Sequence, residues 1–497
     1  MARKSAKKTK ARAKRSKKDT RPWALWTLLV LAAIAGVRLL INALDVVPVH
    51  FDEGQYWAYG HELAAGHFSK PPLVGWLIWA ITGVAGDTTF ALRIGAVAAH
   101  AAIAWFVFLT AKRLFDGQTG FWAAVGYTLA PGVTISAMIM STDPVMMAAW
   151  AVALYAWVRA ADGPQYWWVV VGVAIGAGML AKYTMIAFAA GALGYGIFST
   201  RDRDWRGVLI TAVAALIVFA PNLIWQATNE FVTTRHVAED AAPGGTLFNL
   251  GKLAEFLGTQ LGVIGPVWFL AIIAGLFRRD WQDDQGMRKL AWQTFTLLIV
   301  ITGVAFITRA HGNWAAPAYV AGSIFAARYL LTRNWHWALP VQTVIGIVAA
   351  MAVYAAAWTY SHYAQSLPRT PDPFKKMRLS QPFCEPVLAA MAEEGAEVLL
   401  SNDRRRLSEC MFLGTLTFQD IAVWNQDPWP ENHHELVATL QPGDHRRMIL
   451  AVMDRRGAIY IARRFEEARE IESGTIRTHK ESQAGYSIWV VQGFKDY

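Results

Sequence analysis

Apolar residues run along this chain in long blocks separated by short polar ones, and the blocks end at residue 360. A helix rises about 1.5 Å per residue, so crossing about 30 Å of hydrocarbon takes roughly 20 residues. Blocks near that length lie at 23–44, 90–112, 119–139, 144–160, 166–181, 183–199, 207–226, 256–277, 290–308, 314–331 and 338–360. The pattern predicts an α-helical polytopic membrane protein over 22–360, with about eleven transmembrane helices. The stretch 166–199 is the least regular, because Lys182 interrupts it.

Beyond 360 the alternation changes. Prolines cluster in "SLPRTPDPF", a linker signal. Short apolar runs in "AEVLLSN", "DIAVWNQD", "RRMILAVM" and "YSIWVVQGF" read as strands. "RRLSECMFLG" and "ARRFEEAREIES" read as helices between them, which makes 361–497 a small α/β domain. Cys384 and Cys410, the two cysteines of the chain, both fall there. In an oxidising compartment they would pair, and otherwise they are two separate buried thiols; both readings stay open.

Charge refines this picture. Asp, Glu, Lys and Arg make up 17% of the chain, against about a quarter in ordinary soluble proteins. The net charge of +10 resides in Met1–Arg21, which holds eleven Lys/Arg and one Asp. That tail is too charged and too poor in apolar residues to fold, and it suits the cytoplasmic side of a membrane and anionic lipid. The remaining residues balance at 36 basic and 36 acidic, so no basic face for nucleic acid is implied. "AKRLFDGQ", "VRAADGPQ", "STRDRDWR", "FRRDWQDDQGMRK" and "LTRNWHW" fall at alternate helix ends and are rich in Arg or Lys. The positive-inside tendency then places the N-terminus in the cytoplasm and 361–497 in the periplasm of a bacterial inner membrane. Trp23–Leu44 reads as a retained anchor.

The first outside loop, 45–89, is long and ordered in pattern. "EGQYWAYGHELAAG" has helical spacing, with Tyr56, Trp57, Tyr59 and Leu63 on one face, and "PPLVGWLIWAITGVAG" carries Trp76 and Trp79 at interfacial positions. Two helices along the membrane surface would hold Asp52, Glu53, His67 and Lys70 at the waterline. Acids and a cation there suit a substrate that is half lipid, such as a polyprenyl-phosphate sugar. Its leaving group needs a cation to hold the developing phosphate charge. A hydroxyl acceptor needs a carboxylate to take its proton, and a phosphate acceptor leaves the carboxylate only positioning. A plainer role for Asp52 is to cap the following helix.

"FDEGQYWAYGHELAAGHFSKPPLVGW", followed by "MSTDP", resembles the GT-C membrane glycosyltransferases. Within them it is most similar to the bacterial lipid A aminoarabinose and galacturonic acid transferases and the protein O-mannosyltransferases. The resemblance covers about 20–360. It implies an inverting transfer of sugar from a polyprenyl phosphate to lipid A or lipopolysaccharide core. Asp52 then matches the first-loop catalytic acid, Glu53 its neighbour, Lys70 the lysine that contacts the donor phosphate, and Asp143 an acid near the donor site. Aminoarabinose transferases usually carry a glutamate before that lysine, which helps hold a metal. Ser69 stands there in this chain, so a divalent ion is left open and aminoarabinose itself is weakened as the sugar.

Other residues invite either reading. In "NEFVTTRHVAED", Arg235 and His236 are placed to clamp a phosphate and Glu239 or Asp240 to join a metal, unless the segment is a solvated face. Arg309 and His311 sit at a membrane edge, where snorkelling or phosphate contact explains them. Lys182 belongs at a turn near the outer surface or facing a cavity. Arg38 and His100 read as paired packing residues, and Gly172 and Gly176 as a close helix contact. A protein O-glycosyltransferase, a lipid or sugar transporter, and a membrane scaffold are the alternatives. The chain has no convincing internal repeat of the kind transporters carry.

Overall fold

A computed structural model describes residues 21–199, 204–233, 248–279 and 281–497. The helical part comprises α1 Trp23–Ala43, α2 Phe51–Glu62, α3 Leu73–Ala85, α4 Thr89–Leu114, α5 Gly117–Thr128, α6 Pro131–Ser136, α7 Thr142–Ala160 and α8 Tyr166–Ala181. It continues with α9 Ile186–Phe198, α10 Trp205–Thr228, α11 Leu250–Ile264, α12 Pro266–Arg278, α13 Gln285–Ile307, α14 Ala318–Thr332 and α15 Ala338–Tyr363. Among the described residues, α1, α4, α10, α13 and the helix from Ala338 are each long and apolar enough to cross a membrane. α1 turns Leu28, Leu29 and Leu40 outward, as a helix in lipid should. The chain is a membrane protein.

Several expected spans are broken. The block 119–139 is two helices, α5 and α6, because Pro131 at the start of α6 has no N–H to continue the ladder. The block 256–277 divides at Gly265, with φ of 92°, and Pro266. Lys182 ends α8 in extended backbone, and a single 3-10 turn, Tyr183–Met185, leads into α9. The described helices therefore do not map one to one onto eleven continuous crossings. The small residues of α8 act as expected: a Cβ on Gly172 would overlap the Thr211 carbonyl, and one on Gly176 would lie 2.7 Å from that of Ala215. Arg38 is buried and donates to the side chain and carbonyl of Thr128.

The C-terminal residues form α16 Ser380–Glu394, β1 Val398–Ser401, α17 Arg404–Gly414, β2 Ile421–Val423, α18 His433–Ala438, β3 Met448–Val452, α19 Arg455–Ala462, β4 Phe465–His479 and β5 Ser482–Phe494. The sheet order is β2-β1-β3-β5-β4, with β1 parallel to β2 and β3, and β5 antiparallel to β3 and β4. The segment expected to be helical, "ARRFEEAREIES", is instead the end of α19 and most of β4. Its Glu and Arg residues favour helix weakly, and pairing with β5 from Phe465 to His479 overrides that. Charged side chains then suit it as an edge strand. Cys384 and Cys410 form a disulfide that joins α16 to α17.

The C-terminal unit packs directly on the first loop. Gly54 of α2 lies against the Ser408 carbonyl of α17, and Gly60 lies against that of Gly75 in α3; neither position has room for a Cβ. Arg378, paired with buried Asp372, also donates to the Val46 carbonyl. Tyr56, Trp57 and Tyr59 are buried as expected. Leu63 is not: it ends α2 with φ of 49° and is exposed. α2 is thus enclosed between α3 and α17 rather than lying on an open surface.

Candidate active site

The turn before α2 decides what Asp52 can do. His50 is the cap of α2: its Nδ1 accepts from Asp52 N at 3.2 Å, while the His50 N–H donates to Glu53 Oε2 at 3.0 Å. This is a capping box with histidine in the place of serine or threonine. Asp52 is therefore not the cap, and its carboxylate is left facing a cavity.

Glu53 turns the other way. It is fully buried and takes a two-pronged ion pair from Arg93 of α4, at 3.0 Å on Oε1 and 2.9 Å on Oε2. Met140 N–H also donates to Oε1, at 2.9 Å. Arg93 in turn donates to the Val47 and Pro48 carbonyls. Glu53 is thus a strut that ties the first loop to α4 and to the turn before α7. It does not line the cavity beside Asp52.

That cavity, about 610 Å³ in volume, is lined by Asp52, Lys70, Asp143 and Lys182, with His50, Tyr56, His100, His311, Asn313 and Tyr319 around them. Val133, Ile135, Ile139, Val263 and Ile264 give it an apolar wall. Asp143, in the first turn of α7, accepts from Lys182 Nζ at 2.6 Å and from Asn313 Nδ2 at 2.9 Å. Lys182 therefore meets both of its sequence readings, since it sits at a turn and faces the cavity. Burial lowers the Lys70 pKa, the Asp52 charge opposes that shift, and Lys182 adds to it. Burial likewise pushes the Tyr56 hydroxyl upward, with Asp52 next in effect. His100 closes the floor, hydrogen-bonded to Tyr127 Oη at 3.1 Å and Ser136 Oγ at 3.0 Å.

Of the phosphate-binding candidates, Lys70 reaches the cavity. Arg309 does not: it is exposed and lines a small neighbouring crevice with Lys252 and Glu255, which His311 shares. Arg235 and His236, with Glu239 and Asp240, lie outside the described residues. Sequence reasoning missed His50 and Asn313. Their signals were slight, a histidine before the acid pair and an asparagine before Trp314.

Among the described residues, no ligand set for the metal linked by resemblance to a glutamate at Ser69 converges in this cavity. Among the described residues one set of three ligand-type groups converges, Glu62, His67 and His433, and none of the three lines it.

Residues 69–225 match the family model of the dolichyl-phosphate-mannose-protein mannosyltransferases. The chain is 28% identical over 428 residues to the lipid A galacturonosyltransferase RgtD of Rhizobium johnstonii, spanning 84% of this chain and 88% of that protein. To the lipopolysaccharide core galacturonosyltransferase RgtB of the same organism it is 27% identical over 360 residues, 66% of this chain and 71% of the other. ArnT from Cupriavidus metallidurans bound to undecaprenyl phosphate superposes with a TM-score of 0.61 at 14% identity, over 93% of this chain and 97% of that one. The chain has the GT-C fold, and the resemblance read from its first loop holds against proteins named as glycosyltransferases.

Proposed function

We propose that this GT-C-fold membrane protein moves one sugar, with inversion, from a polyprenyl phosphate to lipid A or the lipopolysaccharide core. One observation carries the reading: a single cavity joins Asp52 and Lys70 to an apolar wall. A greasy phosphosugar needs that combination, with its first prenyl units against the isoleucines and its phosphate beside the lysines. The Rhizobium relatives support lipopolysaccharide as acceptor and a hexuronic acid as the sugar.

In this scheme the acceptor oxygen attacks the anomeric carbon while Asp52 takes its proton. The bond from that carbon to the phosphate oxygen breaks, and its electron pair leaves with the polyprenyl phosphate. The phosphate gains one negative charge, which Lys70 stabilises where it forms. Lys182, held by Asp143, adds a second cation. Glu53 keeps Asp52 in place through His50 and Arg93. The basic tail lies in the cytoplasm and 361–497 in the periplasm. The Cys384–Cys410 disulfide supports that placement, since the periplasm is oxidising.

The test uses the full chain in nanodiscs with a polyprenyl-phosphate hexuronate and lipid A. Losing a general base costs about 10²–10⁴ in rate, so Asp52→Asn is expected to slow transfer by that much while the protein stays folded. Lys70→Ala is expected to raise the donor KM. Wild-type turnover in Asp52→Asn would exclude the base role.

A further inference from the structure

Glu62 ends α2, His67 precedes Lys70 by three residues, and His433 begins α18 of the C-terminal unit. One ligand atom from each lies within 4.8 Å of the others. His67 is fully buried and His433 is 4% exposed. Neither ring nitrogen of His67 has a hydrogen bond of good geometry: Nε2 stands 3.5 Å from Glu62 Oε2, and the Tyr59 backbone is the ring's other polar neighbour. His433 Nε2 is 2.7 Å from the same Glu62 oxygen. The rings are fixed in place, His67 stacked on Tyr59 at 3.8 Å and His433 edge-on to Phe418 at 5.3 Å.

Burying two imidazoles around one carboxylate, with His67 lacking a well-formed hydrogen bond, is costly unless something satisfies that ring. We infer that Glu62, His67 and His433 bind a divalent transition-metal ion of the zinc class, clipping the C-terminal unit to the turn that presents Lys70. Two imidazoles and a carboxylate are a ligand set such ions favour, at about 2.0–2.1 Å each. Glu62, at the exposed end of α2, is the ligand with room to draw the three together. Glu62 and His433 also line a second cavity of about 750 Å³, with Asn229, Thr417 and Gln419, which leaves space for water in a fourth position. Ligation through His433 Nε2 puts that ring's proton on Nδ1. The contact Nδ1 now accepts from Phe68 N–H, at 3.3 Å, then breaks. The same turn carries the hydrogen bonds from His67 N–H to the Lys70 carbonyl, 3.0 Å, and from Lys70 N–H back, 3.4 Å. The ion thus fixes the backbone that aims Lys70. This coupling rests on the donor-site reading above, whereas binding of the ion does not.

The experiment strips the purified full chain with a chelator and titrates it with Co²⁺, read by visible absorption, and with Zn²⁺, read by metal analysis. One ion per chain is expected, with affinity falling by more than the about 10–100-fold that loss of a ligand's hydrogen-bond partner alone produces, in Glu62→Gln and in His433→Gln. Zn²⁺ is also expected to slow thermal inactivation of the wild type and not of the variants. If a histidine variant does not fold, Glu62→Gln carries the comparison. Wild-type binding no tighter than that of Glu62→Gln overturns the site. Tight binding in a protein that transfers no sugar leaves the site standing and removes the function proposed above.

Discussion

Replacing Glu53 by glutamine removes one buried negative charge and leaves its partner, Arg93, where it is. Each carboxylate oxygen accepts two hydrogen bonds, Oε1 from Arg93 Nε and Met140 N, Oε2 from Arg93 Nη2 and His50 N. All four partners are donors. Whichever oxygen becomes an NH₂ group, it will face two of them with no acceptor to offer. Glu53 is fully buried and Arg93 is 1% exposed, and breaking such a pair costs about 3–5 kcal/mol. At about 1.36 kcal/mol per decade that is two to four decades in the folding equilibrium. The assay compares thermal inactivation half-life and sugar transfer in Glu53→Gln, Asp52→Asn and the double variant Glu53→Gln, Arg93→Met. Glu53→Gln is expected to inactivate far sooner than wild type, Asp52→Asn to be stable but slow. The double variant is expected to recover part of the lost stability, because no unpaired charge remains. A Glu53→Gln protein as durable as wild type but inactive would refute the strut and return Glu53 to the reacting groups.

Donor capture should fall as pH rises through the lowered Lys70 pKa, sooner than for an ordinary lysine, as the phosphate loses its cation; Lys70→Arg should move that limb to higher pH in a kcat/KM profile. The effect on stability has the opposite sign: between the folded and unfolded pKa values the unfolded chain holds the extra proton, so this group's contribution grows as pH rises. Gly54→Ala should cost about 1–3 kcal/mol, since the new methyl meets Ser408 backbone rather than a side chain that can move. Shorter thermal half-life with a raised donor KM is the expected reading, and an unchanged half-life would contradict the close approach. Asp143→Asn should lower kcat/KM less than Asp52→Asn does, because it loosens Lys182 and Asn313 without removing a reacting group; equal losses in the two variants would contradict that ranking.

Where geometry depended on local pattern, the sequence was readable. Asp52 and Lys70 are 18 residues apart within one motif, and they do line one cavity. The small residues of α8 marked a helix contact because their spacing alone creates the groove. Where geometry depended on a distant partner, it was not readable. Glu53 looked equal to its neighbour until Arg93, 40 residues on, claimed it. The breaks at Pro131 and Gly265–Pro266 were marked by proline, yet hydropathy averaged over them. β4 was misread because local Glu and Arg propensity says nothing of the hairpin partner.

The enclosure of α2 bears on what the C-terminal unit is for. A helix meant only to rest at a lipid surface would keep one polar face wet, yet Glu53 through Gly60 are all buried. The cover is α17, close enough that Gly54 admits no side chain, and the Arg404 charge at the start of that helix lowers the Lys70 pKa further. His433 meets Glu62 at the other end of α2. The helix that carries Asp52 in its first turn is thus held at its far end by His433 and along one side by α17. A change that lifted the C-terminal unit would displace Asp52 and retune Lys70 together, without touching either. On this geometry the unit braces the proposed donor site from outside, since the residues that line the cavity all lie between His50 and Tyr319.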